Sequence, residues 1–563
     1  MKAFSRAQSF IASVVVACVV CISAGAAEPP QGAAIASAHR LATDAGYEIL
    51  QQGGNAFDAA VAVAGALAVV EPYSSGLGGG GFFLLHRASD KEQVFVDGRE
   101  TAPAAARPEQ YIDENGAPRP GATTQGGTSV GIPGLPAALV HVAQRYGRLP
   151  LHVTLAPAVK LARFGFPVDN RYARIAKLRE RHLQSYPRAA KIFLHDGAAP
   201  PPGHVVRQPE LATTLERLGG EGSPAFYQGS VAEALVRSVN AAGGTWSMSD
   251  LARYRVVERA PIRVRYRGAT IVSAPLPSAG GIALAQSLTM LENRNIGDPL
   301  EPRYAHLIAE ALRRAFQDRA LYLGDGDQVE VPVARLTDKT YLQQRGETID
   351  PRHATPSAEL KAGDMAKAES GNTTHLSVVD AAGNRVAATL SINWIFGSGI
   401  VAGDTGVLLN NEMDDFTVRK DVANSYRLRG SDANAIAPGK RPLSSMTPTF
   451  VEDARGVLVL GAPGGSRIVS QVLLATLAYL HAERVDLRAL VAAPRYHHQY
   501  LPDRLEVEPE AFDASWRTAM SGYGHRLETA NRKWGNLQAV FQTRDRRHAE
   551  AASDPRGSDV AWY

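Results

Sequence analysis

Residues 369–380, ESGNTTHLSVVD, mark the point where the character of the chain changes. The preceding residues 350–372 have no apolar periodicity and collect proline and charged side chains, which predicts an exposed linker. From Thr373 the pattern becomes that of two strands, residues 373–379 and 386–392, joined by a short loop rich in turn-forming residues. Thr373 therefore stands at the junction between a linker and a buried strand.

This junction suits an N-terminal nucleophile. A threonine hydroxyl is too weak an acid to attack an amide unaided, but a chain that begins at Thr373 carries its own α-amine. The unperturbed pKa of such an amine is about 7.7 to 8.0, so it can accept the hydroxyl proton. Cleavage between Asn372 and Thr373 would create this pair. The junction alone leaves a simpler alternative open, because β-branched threonines often begin strands.

The N-terminus has the pattern of an export signal. Lys2 and Arg6 precede the apolar run 10–22, and the residues AGA at 24–26 form a small-x-small cleavage site. We therefore predict a signal peptide over residues 1–26, and a protein secreted across the inner membrane, with the periplasm favoured and the extracellular space as the alternative. The apolar run is shorter than the roughly 20 residues that span a bilayer, so we expect no membrane span after signal removal.

Composition and cysteine count exclude several classes of site. The 60 Lys and Arg nearly balance the 56 Asp and Glu, and no concentrated basic tract predicts a nucleic-acid partner. Both cysteines, Cys18 and Cys21, lie in the predicted signal peptide, which excludes disulfides and cysteine chemistry from the mature chain. A lipid anchor at Cys18 is disfavoured because the apolar run continues beyond it.

Two further patterns resemble cofactor or metal sites but do not support them. Residues 76–81, GLGGGG, match G-x-G-x-x-G, yet they follow predicted helices and open a strand, which is the reverse of a dinucleotide loop. His497 and His498 would point to opposite faces of a strand, so we predict no metal site. No cofactor is expected. The helix predicted after Pro302 is interpreted as core scaffold rather than as part of a site.

Several segments carry a specific resemblance. They are NTTH (372–375), SVVD (377–380), FGSG (396–399), LNNEMDDF (409–416), RPLSSMTP (441–448) and GGSR (464–467). In this order and spacing they resemble the gamma-glutamyltransferase family, also called gamma-glutamyltranspeptidases or glutathione hydrolases, from about residue 34 to the C-terminus. The resemblance implies an α+β fold of the N-terminal nucleophile hydrolase type, an αββα sandwich with two stacked sheets between helical layers.

The resemblance also implies a precursor that cleaves itself before Thr373. A large subunit, residues 27–372, and a small subunit, residues 373–563, would then form one catalytic unit. The implied catalytic residues are Thr373, Ser391, Gly464 and Gly465, with the two glycine amides as the oxyanion hole. The implied substrate contacts are Arg99, Ser444 and Ser445 for the α-carboxylate, Asn393, Glu412 and Asp415 for the ammonium, and Tyr426 as a lid. Ser391 stands where many members have threonine, which leaves the efficiency of self-processing open.

The implied activity is transfer of a gamma-glutamyl group from glutathione or another gamma-glutamyl compound to water, amino acids or peptides. Two alternatives remain open. One is a related acylase that acts on glutaryl β-lactams or on poly-gamma-glutamate. The other is an exported amino-acid-binding protein without chemistry, which would stay a single polypeptide.

Overall fold

Two six-stranded antiparallel sheets form the centre of the protein. The computed structural model describes residues 30–360, 373–419, 424 and 427–557. Predictions for the signal peptide, Asn372 and Tyr426 lie outside these residues. The strands are β1 (Ala34–Ser37), β2 (Gly80–Arg87), β3 (Glu92–Gly98), β4 (Phe166–Pro167), β5 (Val205–Val206), β6 (Val257–Arg259), β7 (Ile262–Tyr266), β8 (Ala269–Ser273), β9 (Thr373–Val379), β10 (Arg385–Ser391), β11 (Val401–Ala402), β12 (Val407–Leu408), β13 (Thr449–Glu452), β14 (Gly456–Gly461), β15 (Tyr496–His497), β16 (Leu505–Val507), β17 (Leu527–Thr529), β18 (Gln538–Thr543) and β19 (Ala549–Ser553). The first sheet has the strand order β1-β9-β10-β2-β3-β6 and the second β19-β18-β14-β13-β8-β7.

Helices cover the outer face of each sheet, and further helices pack on these. They are α1 (Arg40–Gln51), α2 (Ala56–Val70), α3 (Leu135–Tyr146), α4 (Leu151–Phe164), α5 (Asn170–Gln184), α6 (Pro187–Phe193), α7 (Pro209–Glu221), α8 (Pro224–Tyr227), α9 (Gly229–Ala241), α10 (Met248–Arg253), α11 (Gly280–Leu291), α12 (Pro302–Tyr322), α13 (Val333–Leu336), α14 (Lys339–Glu347), α15 (Arg467–His481), α16 (Leu487–Ala492) and α17 (Ala514–Gly522). α2 and α3 pack on the first sheet, whereas α11 and α15 pack on the second. The predicted αββα sandwich is confirmed.

The tandem helices before the glycine run form as their sequence predicts. Every residue of α2 is buried, which its alanine and valine content allows. Asn55 caps α2 through a reciprocal capping box with Asp58. The amide of Ala56 donates to Oδ2 of Asp380 at 2.9 Å. The start of α2 is thereby attached to the loop between β9 and β10, and this fixes the hairpin that begins at Thr373.

The glycine run 76–81 allows close approach of main chains. A Cβ atom on Gly78 would lie 2.1 Å from the carbonyl oxygen of Leu408, and one on Gly79 would lie 2.1 Å from that of Ser391. Any side chain at these two positions would therefore clash with backbone. The run brings the end of β10 and the segment after β12 side by side, where several predicted site residues lie.

None of the helices in the described part of the chain combines the length and apolar character that crossing a membrane requires. His497 and His498 diverge as predicted. His497 contacts Ser470 and Gln499, whereas His498 lies 3.3 Å from Asp503. Over the same described ranges, no three His, Cys, Asp or Glu side chains group in a way that could hold a metal ion.

Candidate active site

Thr373 is the first residue of β9 and lies directly opposite Ser391 at the end of β10. Its side chain is 3% exposed. The two hydroxyl oxygens are 3.5 Å apart. Ser391 also accepts a hydrogen bond of 2.8 Å from the backbone amide of Asn393. The strand pairing therefore brings together the two hydroxyl residues that the sequence predicts to act together.

The residues that follow Thr373 anchor its strand on both faces. Thr374 donates a 2.7 Å hydrogen bond to Glu71, a buried acid at the end of α2. His375 points to the other face, where its ring contacts Thr389, and burial lowers its pKa to about 3. A Cβ atom on Gly461 would lie 2.2 Å from this ring. Glu71 was missed in the sequence, where an acid at the end of an apolar helix carries no distinctive signal.

A buried arginine and two acids form the charged part of the site. Arg99 follows β3, and its two terminal nitrogens contact Glu412 Oε1 and Asp415 Oδ2, each at 2.5 Å. Its Nε donates to the carbonyl oxygen of Pro442 at 3.2 Å. Glu412 and Asp415 lie on the same turn of 3-10 helix, Glu412–Asp415. The side chains that the sequence assigns to opposite charges of a substrate are thus paired with each other.

A third acid, Glu100, joins this cluster and was not predicted. Its Oε2 lies 3.6 Å from Arg99, and neither carboxylate oxygen has a hydrogen-bond partner among the described residues. Burial raises the pKa of both Glu100 and Glu412, and the charge of Arg99 opposes this shift. Burial disfavours the charge of Arg99, but the carboxylates of Glu412 and Asp415 raise its pKa overall. One guanidinium therefore shares its charge among three acids.

A small cavity of about 20 Å³ connects the hydroxyl pair with the charged cluster. It is lined by Arg99, Arg319, Thr373, Ser391, Glu412, Asp415, Leu428, Ser444, Ser445, Met446, Gly465, Ser466 and Ile468. Three of its polar atoms, Glu412 Oε2, Ser445 Oγ and Arg319 Nε, are buried without a hydrogen-bond partner in the described chain. Unpaired buried polar atoms of this kind are costly, and they indicate a place where a polar ligand binds.

Gly464 and Gly465 lie just before α15. Both have positive φ, 129° and 59°, and Gly465 lines the cavity. The N-terminus of a helix combines free amides with a positive dipole end, which favours a negative oxygen. Asn393 has a φ of 67°, and its side-chain amide donates to the carbonyl oxygen of Asn411 at 2.9 Å. Asn393 is not one of the residues that line the cavity.

Helix α12 also contributes to the cavity, which corrects the prediction that it is scaffold alone. Arg319, near its C-terminal end, is 4% exposed and lines the cavity. The apolar periodicity of this helix correctly identified a core element. It did not reveal which of the helix's arginines faces the site.

Most of the chain resembles a single family of known proteins. The sequence profile described as gamma-glutamyltranspeptidase matches residues 42–563. A glutathione hydrolase proenzyme of Escherichia coli (strain K12) is 40% identical over 538 residues, covering 93% of this chain and 90% of the relative. The chain belongs to the gamma-glutamyltranspeptidase family.

Solved structures of the family and its relatives share the fold. The cephalosporin acylase from Bacillus halodurans superposes with a TM-score of 0.82 at 26% identity, covering 94% of this chain and 96% of that one. The Helicobacter pylori gamma-glutamyltranspeptidase has a TM-score of 0.56 at 37% identity, covering 58% of this chain and 94% of that chain. The family resemblance predicted from the motifs is confirmed, and so is the N-terminal nucleophile hydrolase fold.

Proposed function

We propose that this protein is a gamma-glutamyltransferase and glutathione hydrolase that cleaves itself before Thr373. The freed threonine takes a gamma-glutamyl group from glutathione or a similar donor and passes it to water, an amino acid or a peptide. The observation that carries this proposal is the cavity beside Thr373. It presents a nucleophilic hydroxyl at one side and, at the other, the paired charges of Arg99, Glu412 and Asp415.

The chemistry follows from the placement of the groups. The α-amine of the freed Thr373 accepts the proton of its own hydroxyl while the oxygen attacks the gamma-carbonyl carbon. The amides of Gly464 and Gly465 stabilise the negative oxygen of the tetrahedral intermediate. The amine of the donor leaves with a proton, and a gamma-glutamyl ester of Thr373 remains. Water or an acceptor amine then attacks this ester and restores the hydroxyl.

Binding of the amino acid head would exchange one set of buried ion pairs for another. A cavity of about 20 Å³ holds little more than one water molecule. The cavity must therefore enlarge before a substrate enters, and we expect Arg99 to release at least one acid when it does. The α-carboxylate then takes the place of that acid on Arg99, and the ammonium pairs with Glu412 and Asp415. Arg99 and the acids each exchange one partner for another, so neither the arginine nor the acids are left unpaired in the interior.

Export and two-subunit maturation complete the proposal. The signal peptide, residues 1–26, would be removed, and residues 27–372 and 373–563 would stay associated as large and small subunits in the periplasm. Strands β1 and β2 of the large subunit flank the β9–β10 hairpin of the small subunit within one sheet. This interleaving accounts for association without a disulfide.

Mass spectrometry and denaturing gels of purified protein test the proposal. Wild type should give two fragments, one of which begins at Thr373, and it should release amine from a gamma-glutamyl anilide. Thr373→Ala should stay uncut and inactive. Thr374→Ala is the matched control, because its hydroxyl contacts Glu71 instead of the cavity, so cleavage should persist. An active wild type that remains one chain, or a cleaved Thr373→Ala, would contradict the mechanism.

An acylase that acts on glutaryl amides is the second candidate, favoured by the similarity to the cephalosporin acylase. A glutaryl group lacks the ammonium and would leave buried acids unpaired, which disfavours it here. If the enzyme turns over the glutaryl anilide faster than the gamma-glutamyl anilide, the acylase function is favoured over the gamma-glutamyltransferase function. A single uncut chain that binds amino acids without turnover would instead indicate a binding protein.

A further inference from the structure

Arg319 is a second guanidinium in the cavity. Arg99 forms ion pairs with Glu412 and Asp415, but the side chain of Arg319 forms no ion pair of this kind with the described residues. Its Nε is buried without a hydrogen-bond partner among the described residues. Other arginines of α12 behave differently, since Arg313 and Arg314 both form ion pairs with Glu310 on the same helix. Burying an unpaired guanidinium destabilises a folded protein relative to an apolar side chain at the same position. An anion that reaches Arg319 would remove this cost.

Arg319 stays charged although its surroundings lower its pKa. Burial lowers its pKa to about 10, Asp415 opposes this change, and Arg99 adds to it. The group therefore carries a positive charge at neutral pH. Arg99 shares its charge among three acids, so Arg319 is the cation with capacity for another anion among the described residues that line the cavity.

Ser445 supplies the complementary hydroxyl. Its Oγ is buried, lines the same cavity and has no partner in the described chain, and Ser444 lines the cavity beside it. A guanidinium and a hydroxyl that converge from two elements match the two oxygens of a carboxylate. Glu412 Oε2, the third unpartnered polar atom of the cavity among the described residues, is an acceptor and suits an ammonium.

We propose that Arg319 is a further specificity-determining residue. It binds the α-carboxylate of the substrate head together with Arg99 and Ser445, the carboxylate contacts that the family resemblance already implies. The carboxylate then lies between Arg319 and Arg99, and Arg99 keeps one of its acids. This inference rests on the proposed function. It differs from a role in which Arg319 merely orients Asp415, because that role would concern the ammonium and not the carboxylate.

Three p-nitroanilides separate these roles. The gamma-glutamyl anilide has both head charges, the glutaryl anilide has only the carboxylate, and the 4-aminobutyryl anilide has only the ammonium. Arg319→Gln should lower kcat/KM about 10- to 100-fold for the gamma-glutamyl and glutaryl anilides, mainly through KM, as expected for one charge-assisted hydrogen bond. The 4-aminobutyryl anilide should be affected less than threefold. Arg319→Lys should recover part of the loss, because it keeps the charge without the fork.

Rates are compared as ratios within each protein, so a lower yield of cleaved enzyme does not affect the result. Arg345→Gln is the matched control: this arginine contacts α12 through Gln317 and Asp318 and lies outside the cavity, so its three ratios should equal those of wild type. A loss confined to the two ammonium-bearing anilides, or an equal loss for all three, would overturn the assignment of Arg319. A cleaved wild type inactive on every anilide would instead refute the proposed function itself.

Discussion

The contact between Ser391 and Thr373 permits a quantitative test of the site. Ser391→Ala removes the hydroxyl that lies 3.5 Å from Thr373 Oγ1 and that accepts the 2.8 Å bond from the Asn393 amide. Asn393 adopts a left-handed backbone conformation, φ 67°, which needs support from its neighbours. The substitution therefore affects both the nucleophile and the turn beside it.

The magnitude follows from the bonds that are lost. A buried amide left without its acceptor costs about 1 to 3 kcal/mol, which corresponds to roughly 5- to 150-fold in a rate or an equilibrium. We expect Ser391→Ala to lower the rate of cleavage before Thr373 by a factor in this range. The kcat of protein that has been cleaved should fall as well, because the Thr373 hydroxyl loses a neighbour that orients it.

Cleavage is followed by gel densitometry of freshly made precursor, and turnover with a gamma-glutamyl anilide is normalised to the cleaved fraction. Ser398→Ala is the matched control. Its hydroxyl accepts from the amide of Ile400 two residues later and donates to Leu409, but it does not contact Thr373. It should affect stability without slowing cleavage beyond about twofold. Equal effects of the two substitutions, or none in Ser391→Ala, would refute the reasoning.

Two further predictions concern charge. Asp415→Asn should lower kcat/KM for the gamma-glutamyl anilide about 10- to 100-fold and leave the glutaryl anilide little changed, because only the former brings an ammonium. Cleavage before Thr373 should persist in Asp415→Asn. Asp414→Asn is the control and should behave like wild type, because the side chain of Asp414 contacts Thr123. If Asp415→Asn and wild type discriminate equally between the two anilides, Asp415 does not belong to the ammonium site. The free energy of unfolding should fall as pH drops from about 6.5 toward 3. Burial lowers the pKa of His375, His497 and His525 to about 3 in the folded protein. The same side chains take up protons near pH 6.5 in the unfolded chain, so acid favours unfolding. The Tm should therefore be lower at pH 5.0 than at pH 7.5, and an equal or higher Tm at pH 5.0 would contradict it.

Local structure was largely accessible from the sequence. The strand 373–379 was predicted with its observed bounds, and its partner 386–392 is shifted by one residue to Arg385–Ser391. Asn55 caps α2 as its position before an apolar run predicts. These features depend on residues close together in the chain, where side-chain alternation, capping and turn chemistry act over a few positions.

The candidate site was also predictable only in part: its residues could be identified from the sequence, but their pairing could not. The motifs identified Arg99, Glu412, Asp415, Ser444 and Ser445 as a group, and the structure brings them around one cavity with Thr373. The sequence could not show that Arg99 pairs with both acids.

Only the tertiary structure showed that Arg319 lines the cavity, that Glu100 lies beside Arg99, and that Glu71 holds the strand of Thr373 through Thr374. Arg313, Arg314 and Arg319 are chemically identical side chains on one helix, yet the first two contact Glu310 and the third lines the cavity. The sequence by itself determined the helix, the hairpin and the motifs, because those follow from short-range pattern. Which buried charges meet was decided by the rotation of α12 and by its packing on α11 and α17, which no short-range pattern determines.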